Sequence, residues 1–282
     1  MTIKEIDAIL EEGNSLKTIA QSYSEIANLK IKKIRSQVER NRVFFQEISA
    51  VFALIKKLAI KRQIQVVKPK KTVSLILTSN YRFYGSINSD LIDFFITATQ
   101  KMDTDRIIIG KAAIDYFKAV KTSNFQQVLL KTDQPDTTEL LNLVNMIKDY
   151  NQVLVFYSSM KSLLIQQPTV SDITATSASE VAVSQDKLSR QKEDFRFIFE
   201  PDLSKILQFF DSQIINLLLE GAFLESELSR TASRFISMDK AENEANKFIK
   251  DYEKLKAYAK RNMVNNTILE NFASIGLKQK NN

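Results

Sequence analysis

Seam positions at both ends of the chain recur at alternating steps of three and four. The N-terminal series runs Ile3, Ile6, Leu10, Gly13, Lys17, Ala20, Ser24, Ala27, Ile31, Ile34, Val38, Asn41, Phe45, Ile48, Phe52, and continues through Ile55 and Ala59. The C-terminal series runs Leu203, Leu207, Phe210, Ile214, Leu217, Gly221, Leu224, Leu228, Thr231, Phe235, Met238. Glu242 interrupts it, Ala245, Ile249 and Tyr252 resume it, and Lys256, Ala259 and Met263 carry it more weakly towards Ala273. A repeat averaging about 3.5 residues is the coiled-coil period. An unbroken C-terminal helix would hold roughly 70 residues and reach about 100 Å at a rise of about 1.5 Å per residue. A helix of that length needs a partner along its seam. All four prolines, Pro69, Pro135, Pro168 and Pro201, lie between the two helical ends. The pattern predicts a long antiparallel coiled coil of the two ends, with residues 70–200 folded to one side. Two separate helical bundles are the alternative that periodicity leaves open. Gly13, Ala20, Ser24 and Ala27 are small, so that half of the seam predicts close approach and little buried area.

Between residues 69 and 200 the period changes. Residues 72–78, β-branched and apolar, predict a buried strand. Residues 88–101 predict an amphipathic helix, 106–109 a strand ended by Gly110, 112–120 a helix and 127–131 a short strand. Asp136 or Thr137 is suited to cap a further helix running to about Tyr150, with Glu139 in its first turn. Residues 152–157 predict another buried strand. Strands alternating with helices predict a small Rossmann-like α/β domain with a largely parallel sheet. The Ser/Thr-rich stretch after Pro168 predicts an exposed loop, and Phe195–Phe199 a final strand. Pro201 or Asp202 is suited to the first turn of the last helix. The predicted organisation is a helix over 1–68, an α/β domain over 69–200 and a helix over 201–282.

Charge and missing residue types narrow the function. Lys and Arg total 40 against 33 Asp and Glu, a net charge of +7, which points to an acidic partner: nucleic acid, lipid or an acidic protein surface. Many of the cations lie on the first helix, from Lys30 to Arg42 and again from Lys56 to Arg62. Histidine and cysteine are both absent. The usual zinc sites and the Ser-His and Cys-His nucleophilic pairs are therefore excluded. An enzyme would have to rely on carboxylates, Lys or Tyr. Asp90, Asp93, Asp103 and Asp105 are scattered over predicted helix surfaces and loops and read as solvated charge. The five glycines lie too far apart for a dinucleotide fingerprint or a P-loop. No cofactor, metal or catalytic residue is expected. No apolar run of about 18 residues predicts a transmembrane helix. The polar N-terminus does not read as a signal peptide, and the lack of cysteine fits the cytosol.

Several local motifs, in order along nearly the full length, add a family resemblance. Asn14-Ser15-Leu16-Lys17-Thr18-Ile19, Leu77-Thr78-Ser79-Asn80-Tyr81-Arg82 with Gly85 and Asn88, and Ile109-Gly110-Lys111 form the first half. Gln167-Pro168-Thr169, Phe199-Glu200-Pro201-Asp202 and Arg234-Phe235-Ile236-Ser237-Met238 form the second. Together they resemble the γ subunit of F-type ATP synthases. The resemblance implies a rotor shaft inside a ring of three α and three β subunits, in which the β subunits bind and hydrolyse ATP. It implies a chain without catalytic groups, lying peripherally on the inner face of the cell membrane, with an ε subunit and a membrane ring at its foot. It carries ring contacts onto Lys17, Arg234, Met238, Lys260, Arg261 and Asn265. This chain departs from the family at Phe83-Tyr84-Gly85-Ser86, where the family has Cys-Gly-Gly, and at Arg230, where it has Glu. At Lys260-Arg261, Val264-Asn265 and Thr267 the family has Arg-Gln, Ile-Thr and Glu. Those departures leave open a γ-like subunit of a paralogous F1-like motor driving other work, such as gliding motility. A basic coiled-coil adaptor for nucleic acid is the reading from another class, and a carboxylate-based enzyme a third.

Overall fold

The computed structural model describes residues 2–61, 71–121, 125–174 and 202–280. Its elements in chain order are α1 (Ile3–Lys61), β1 (Thr72–Leu77), α2 (Ile87–Thr99), β2 (Asp105–Ile109), α3 (Lys111–Ala119), β3 (Gln126–Val128), α4 (Thr137–Ile147), β4 (Gln152–Met160), β5 (Gln166–Asp172) and α5 (Leu203–Lys280). The expected strand at Phe195–Phe199, the Ser/Thr-rich residues 175–180, Pro201 and the expected domain limits at 68 and 200 lie outside the described residues. The chain divides into two compact units, Met1–Ala27 with Arg234–Asn282, and Asn28–Ser233.

In the first unit α1 and α5 pair antiparallel. Lys256 Nζ meets Asp7 Oδ1 at 2.6 Å, and Gln21 Nε2 donates to Glu242 Oε1 at 2.7 Å. The second contact explains the interruption at Glu242: a half-buried carboxylate takes a seam position because the facing helix supplies an amide donor. Ile6, Gly13, Ala20 and Ala27 are buried, as their spacing predicts. A Cβ on Gly13 would stand 3.2 Å from Ile249 Cγ1 and 3.3 Å from Phe248 Cδ1, so glycine lets the two helices close up there. Residue 7 faces residue 256, so α1 begins opposite about residue 260. From Lys260 to Phe272 every residue of α5 is exposed.

In the second unit the same pairing buries Ile31, Ile34, Phe52 and Ile55 of α1 and Leu207 and Ile214 of α5. Phe52 and Phe210 stack with ring centroids 6.3 Å apart. A five-stranded sheet of order β3-β2-β1-β4-β5 lies in the same unit. The first four strands are parallel, and β5 returns antiparallel to β4. Both faces are covered, so the central strands read as continuous apolar runs. Val73, Leu75, Leu77, Ile107, Ile109, Val153 and Val155 point to a core shared with α4 and α5. Ile76, Ile108 and Phe156 point to a core shared with α2 and α3.

Helix α5 therefore carries two apolar stripes in this unit. Leu207 and Ile214 face α1, while Ile215, Leu219, Ala222 and Phe223 face the sheet. Of these, the coiled-coil period picks out only the first stripe. A correction concerns the stretch after Pro168, expected as a loop: Gln166–Asp172 is a strand. Pro168 sits opposite Ser158 on the sheet's outer strand, where a missing N–H is tolerated. Pairing with β5 also extends β4 to Met160, past the expected end at Tyr157. The Asp136 cap is as expected: its carboxylate accepts from Glu139 N–H at 2.8 Å, and Glu139 Oε2 accepts from Asp136 N–H at 3.0 Å. The Thr138 hydroxyl, the Glu139 N–H and Lys131 together hold the Asp136 carboxyl well below the usual range.

Candidate functional site

The six residues expected to contact ring subunits all fall in the first unit. Lys17 lies half-buried in the α1 seam series. Arg234 and Met238 are half-buried on α5, whereas Lys260, Arg261 and Asn265 are exposed beyond the start of α1. From Arg234 to Asn265 the helix rises about 45 Å, so these residues do not form one site. They mark two surfaces, a paired section and an unpaired helical end. The unpaired end also exposes Met263, Val264, Ile268, Leu269 and Phe272 beside its cations. A further stripe on α1, Leu16, Ile19, Tyr23 and Ile26, keeps steps of three and four yet points away from the seam.

In the second unit the cations of α1 divide. Lys32, Lys33, Arg35, Arg40 and Arg42 are exposed, a positive face about 15 Å long. Lys30, half-exposed, instead pairs with Glu227 of α5, which is 0% exposed. Glu227 Oε2 also accepts from Arg230 Nη2 at 3.1 Å, and Arg230 is 1% exposed. Arg230 Nη1 donates to Ser226 Oγ at 2.8 Å, and Nη2 also to the Asp133 carbonyl at 3.2 Å. The Asp133 carboxylate accepts from the Tyr84 hydroxyl and from the Asn80 N–H, both at 2.6 Å. Ser233 Oγ donates to the Tyr84 carbonyl at 2.7 Å. Sequence reasoning missed this cluster. Its signal was a Glu and an Arg three residues apart between apolar α5 positions, a spacing that also describes an ordinary solvated pair.

The loops at the carboxyl ends of β1, β2 and β3, where an open α/β sheet would take a ligand, are bonded to one another. Asn80 Oδ1 accepts from Lys111 N–H at 3.0 Å, and its Nδ2 donates to the Leu130 carbonyl at 2.8 Å. Asn88 Nδ2 donates to Ser79 Oγ at 2.8 Å. Among the described residues no group of acidic side chains could hold a metal ion, and no helix is long and apolar enough to cross a membrane.

Tyr157, at the end of the sheet that faces α5, donates to Glu225 Oε2 at 3.0 Å. Burial, then the nearby Glu225 charge and that hydrogen bond, push its hydroxyl well above the usual value. The neutral phenol is therefore favoured in the folded chain. Its contribution is complete below the unfolded value of about 10 and is lost as pH rises beyond it. Tyr157→Phe is expected to cost about 1 kcal/mol at neutral pH. The gap to the unsubstituted chain should close above about pH 10, as urea midpoints at stepped pH will show. A gap that holds constant with pH would contradict the assignment.

Comparison with known proteins agrees with this architecture. The sequence profile of the ATP synthase family matches residues 2–271. The ATP synthase gamma chain of Staphylococcus saprophyticus is 20% identical over 264 residues, covering 89% of this chain and 90% of that protein. That of Stenotrophomonas maltophilia is 20% identical over 265 residues, with the same coverage. Among solved structures, the central stalk and c-ring of Tetrahymena thermophila mitochondrial ATP synthase contains a similar chain, with a TM-score of 0.60 and 16% identity, matched over 79% of this chain and 99% of that one. The rotor of Euglena gracilis mitochondrial ATP synthase contains another, with a TM-score of 0.60 and 14% identity, matched over 93% of this chain and 98% of that one. The fold is thus that of central-stalk chains, and the profile match over residues 2–271 shows that this chain belongs to the ATP synthase family, with gamma chains as its relatives.

Proposed function

We propose that this chain is the central rotor shaft, the γ subunit, of an F-type ATPase, turned by a ring of three α and three β subunits. The observation that carries the reading is α5: one 78-residue helix, paired antiparallel with α1 in both units and exposed throughout residues 260–272. A shaft needs stiffness and a surface that differs around its circumference, and it needs no reacting groups. The chain is non-catalytic on this reading, and the nucleotide chemistry belongs to the ring. Residues 1–68 and 201–282 serve as the shaft, and residues 69–200 as a side domain meeting an ε subunit and a membrane ring. The complex then sits peripherally on the inner face of the membrane. Lys17, Arg234, Met238, Lys260, Arg261 and Asn265 are the ring contacts. Such contacts must be remade at each step, and exposed ion pairs worth about 0–1 kcal/mol suit that.

Affinity purification of the tagged chain, with mass spectrometry of what accompanies it, tests the reading. α and β subunits with a membrane ring are expected. Those subunits with other proteins and no ring would make the chain part of a paralogous motor. Neither would return the nucleic-acid adaptor to the front, and steeply salt-dependent DNA binding would identify it. Truncation after Met263 tests the contacts. It removes Ile268, Leu269 and Phe272, each worth about 1.5 kcal/mol or more if buried at the ring. About a tenfold loss of ring affinity per anchor follows. Unchanged ATPase and rotation of the assembled complex would remove these residues from the contact.

A further inference from the structure

We infer that the chain of contacts from the half-exposed Lys30 through buried Glu227, Arg230 and Asp133 to Tyr84 is an angular lock that fixes the α/β layer on the helix pair and carries twisting force between them. The apolar contacts of this unit cannot do that alone. Ile215, Leu219, Ala222 and Phe223 of α5 rest on the sheet, and apolar burial is non-directional, so a small rotation of α5 beneath the strands exchanges one contact for another. The polar cluster begins one turn further along α5, at Ser226, and its bonds hold only in one orientation.

The bonds leave α5 towards three neighbours. Lys30 ties α1 to Glu227. Arg230 joins Ser226 and Glu227 on its own helix to the Asp133 carbonyl in the loop between β3 and α4. Asp133 then holds Tyr84 and Asn80 of the loop between β1 and α2, and Ser233 returns from α5 to Tyr84. The cluster sets two cations, Lys30 and Arg230, against two carboxylates, Glu227 and Asp133. Buried ion pairs are poor sources of stability, because desolvation offsets attraction, but displacing one partner leaves a buried charge alone. That combination adds little stability at rest but resists movement. The backbone supports the same reading. Phe83 has φ 68, a left-handed conformation that side chains disfavour, and it immediately precedes Tyr84, which is 2% exposed. The loop accepts local strain where it delivers the phenol to Asp133.

The lock is a property of this chain alone; only the force it transmits rests on the shaft reading. The test uses the full-length chain with spin labels at two exposed positions, Lys33 on α1 and Lys118 on α3, and reads the width of the distance distribution by pulsed electron resonance. In Glu227→Leu/Arg230→Met the charged pair becomes apolar at similar volume, a change that commonly preserves stability. The expected result is an unchanged melting temperature and a distribution about twofold wider, because the orienting charged bonds are gone. Should the double variant fail to fold, Tyr84→Phe, which removes one hydroxyl, is read in the same way. An unchanged width in the folded variant overturns the lock. In the assembled motor the variant should hydrolyse ATP without load but slip when a bead on α3 is dragged. If the unsubstituted chain assembles with no α and β subunits, the shaft reading fails while the width measurement still decides the lock.

Discussion

Gly110→Ala is expected to unfold the α/β part of the chain or bring it close to unfolding. Gly110 has φ 96 and ψ 148, and a Cβ there would lie 2.6 Å from the Thr78 carbonyl carbon and 2.8 Å from Thr78 Oγ1. The surroundings have no freedom to give. Thr78 N–H and Oγ1–H both donate to the Ile109 carbonyl, at 2.9 and 2.8 Å. Gly110 N–H donates to Val128 at 3.2 Å, and Ala112 N–H to Ser79 at 3.0 Å. Backbone strain of about 1–3 kcal/mol and overpacking of about 1–3 kcal/mol add here. Against a total stability of about 5–15 kcal/mol, that is a severe loss. Gly221→Ala is the control. Its Cβ would meet only the end of the Asn41 side chain, at 3.0 Å, while the helix gains about 1 kcal/mol from replacing glycine. Urea unfolding of the two variants side by side decides the matter. Equal midpoints would show that the β2–α3 turn is not the constraint described.

The contrast between these glycines also shows what a sequence discloses. Period and burial are tightly linked in a helix pair, so the seam from Ile3 to Phe52 could be read directly: every residue in it is buried or half-buried. The alternation of strands and helices was equally plain, because strands covered on both faces are uninterrupted apolar runs. What could not be read was the double duty of α5. Ile214, Ile215, Leu217, Leu218 and Leu219 form an almost continuous apolar run, and only the structure separates those facing α1 from those facing the sheet. β5 was obscured by Pro168 and a polar composition, both of which an outer strand tolerates. Of the candidate contacts, Lys260, Arg261 and Asn265 rest on the family resemblance, and the structure shows that they are exposed. The cluster at Glu227 and Arg230 was not legible, because a buried ion pair and a solvated one share the same spacing. Arg230 was visible only as a departure from a family position. The structure gives that departure partners in Glu227, Ser226 and Asp133.

Phe95→Ala carries the second large expectation, and it separates the two faces of the sheet. Phe95 of α2 is 0% exposed and meets Phe156 edge-on, with ring centroids 5.0 Å apart, and Phe117 edge-on at 6.2 Å. It thus joins the sheet, α2 and α3 at one point. Truncation removes the ring's transfer energy and leaves a cavity between three elements, costing about 3–5 kcal/mol. The opposite core, where Leu75 and Val155 meet Leu219 and Phe223, keeps its composition. The seam of the first unit, from Ile6 to Ala27, belongs to a separate compact unit and should keep its own stability. Melting should therefore split into an early loss of sheet and near-ultraviolet signal and a later loss of helical signal. The early step should be lowered by about 4–8 °C for each kcal/mol. A single transition at the original temperature would mean that the α2 and α3 face contributes little. If the split appears, the variant becomes a tool for the proposed shaft. Held below the second transition, it should still engage the ring through the first unit while losing whatever the side domain holds. ATP hydrolysis would then be retained without coupling at the foot.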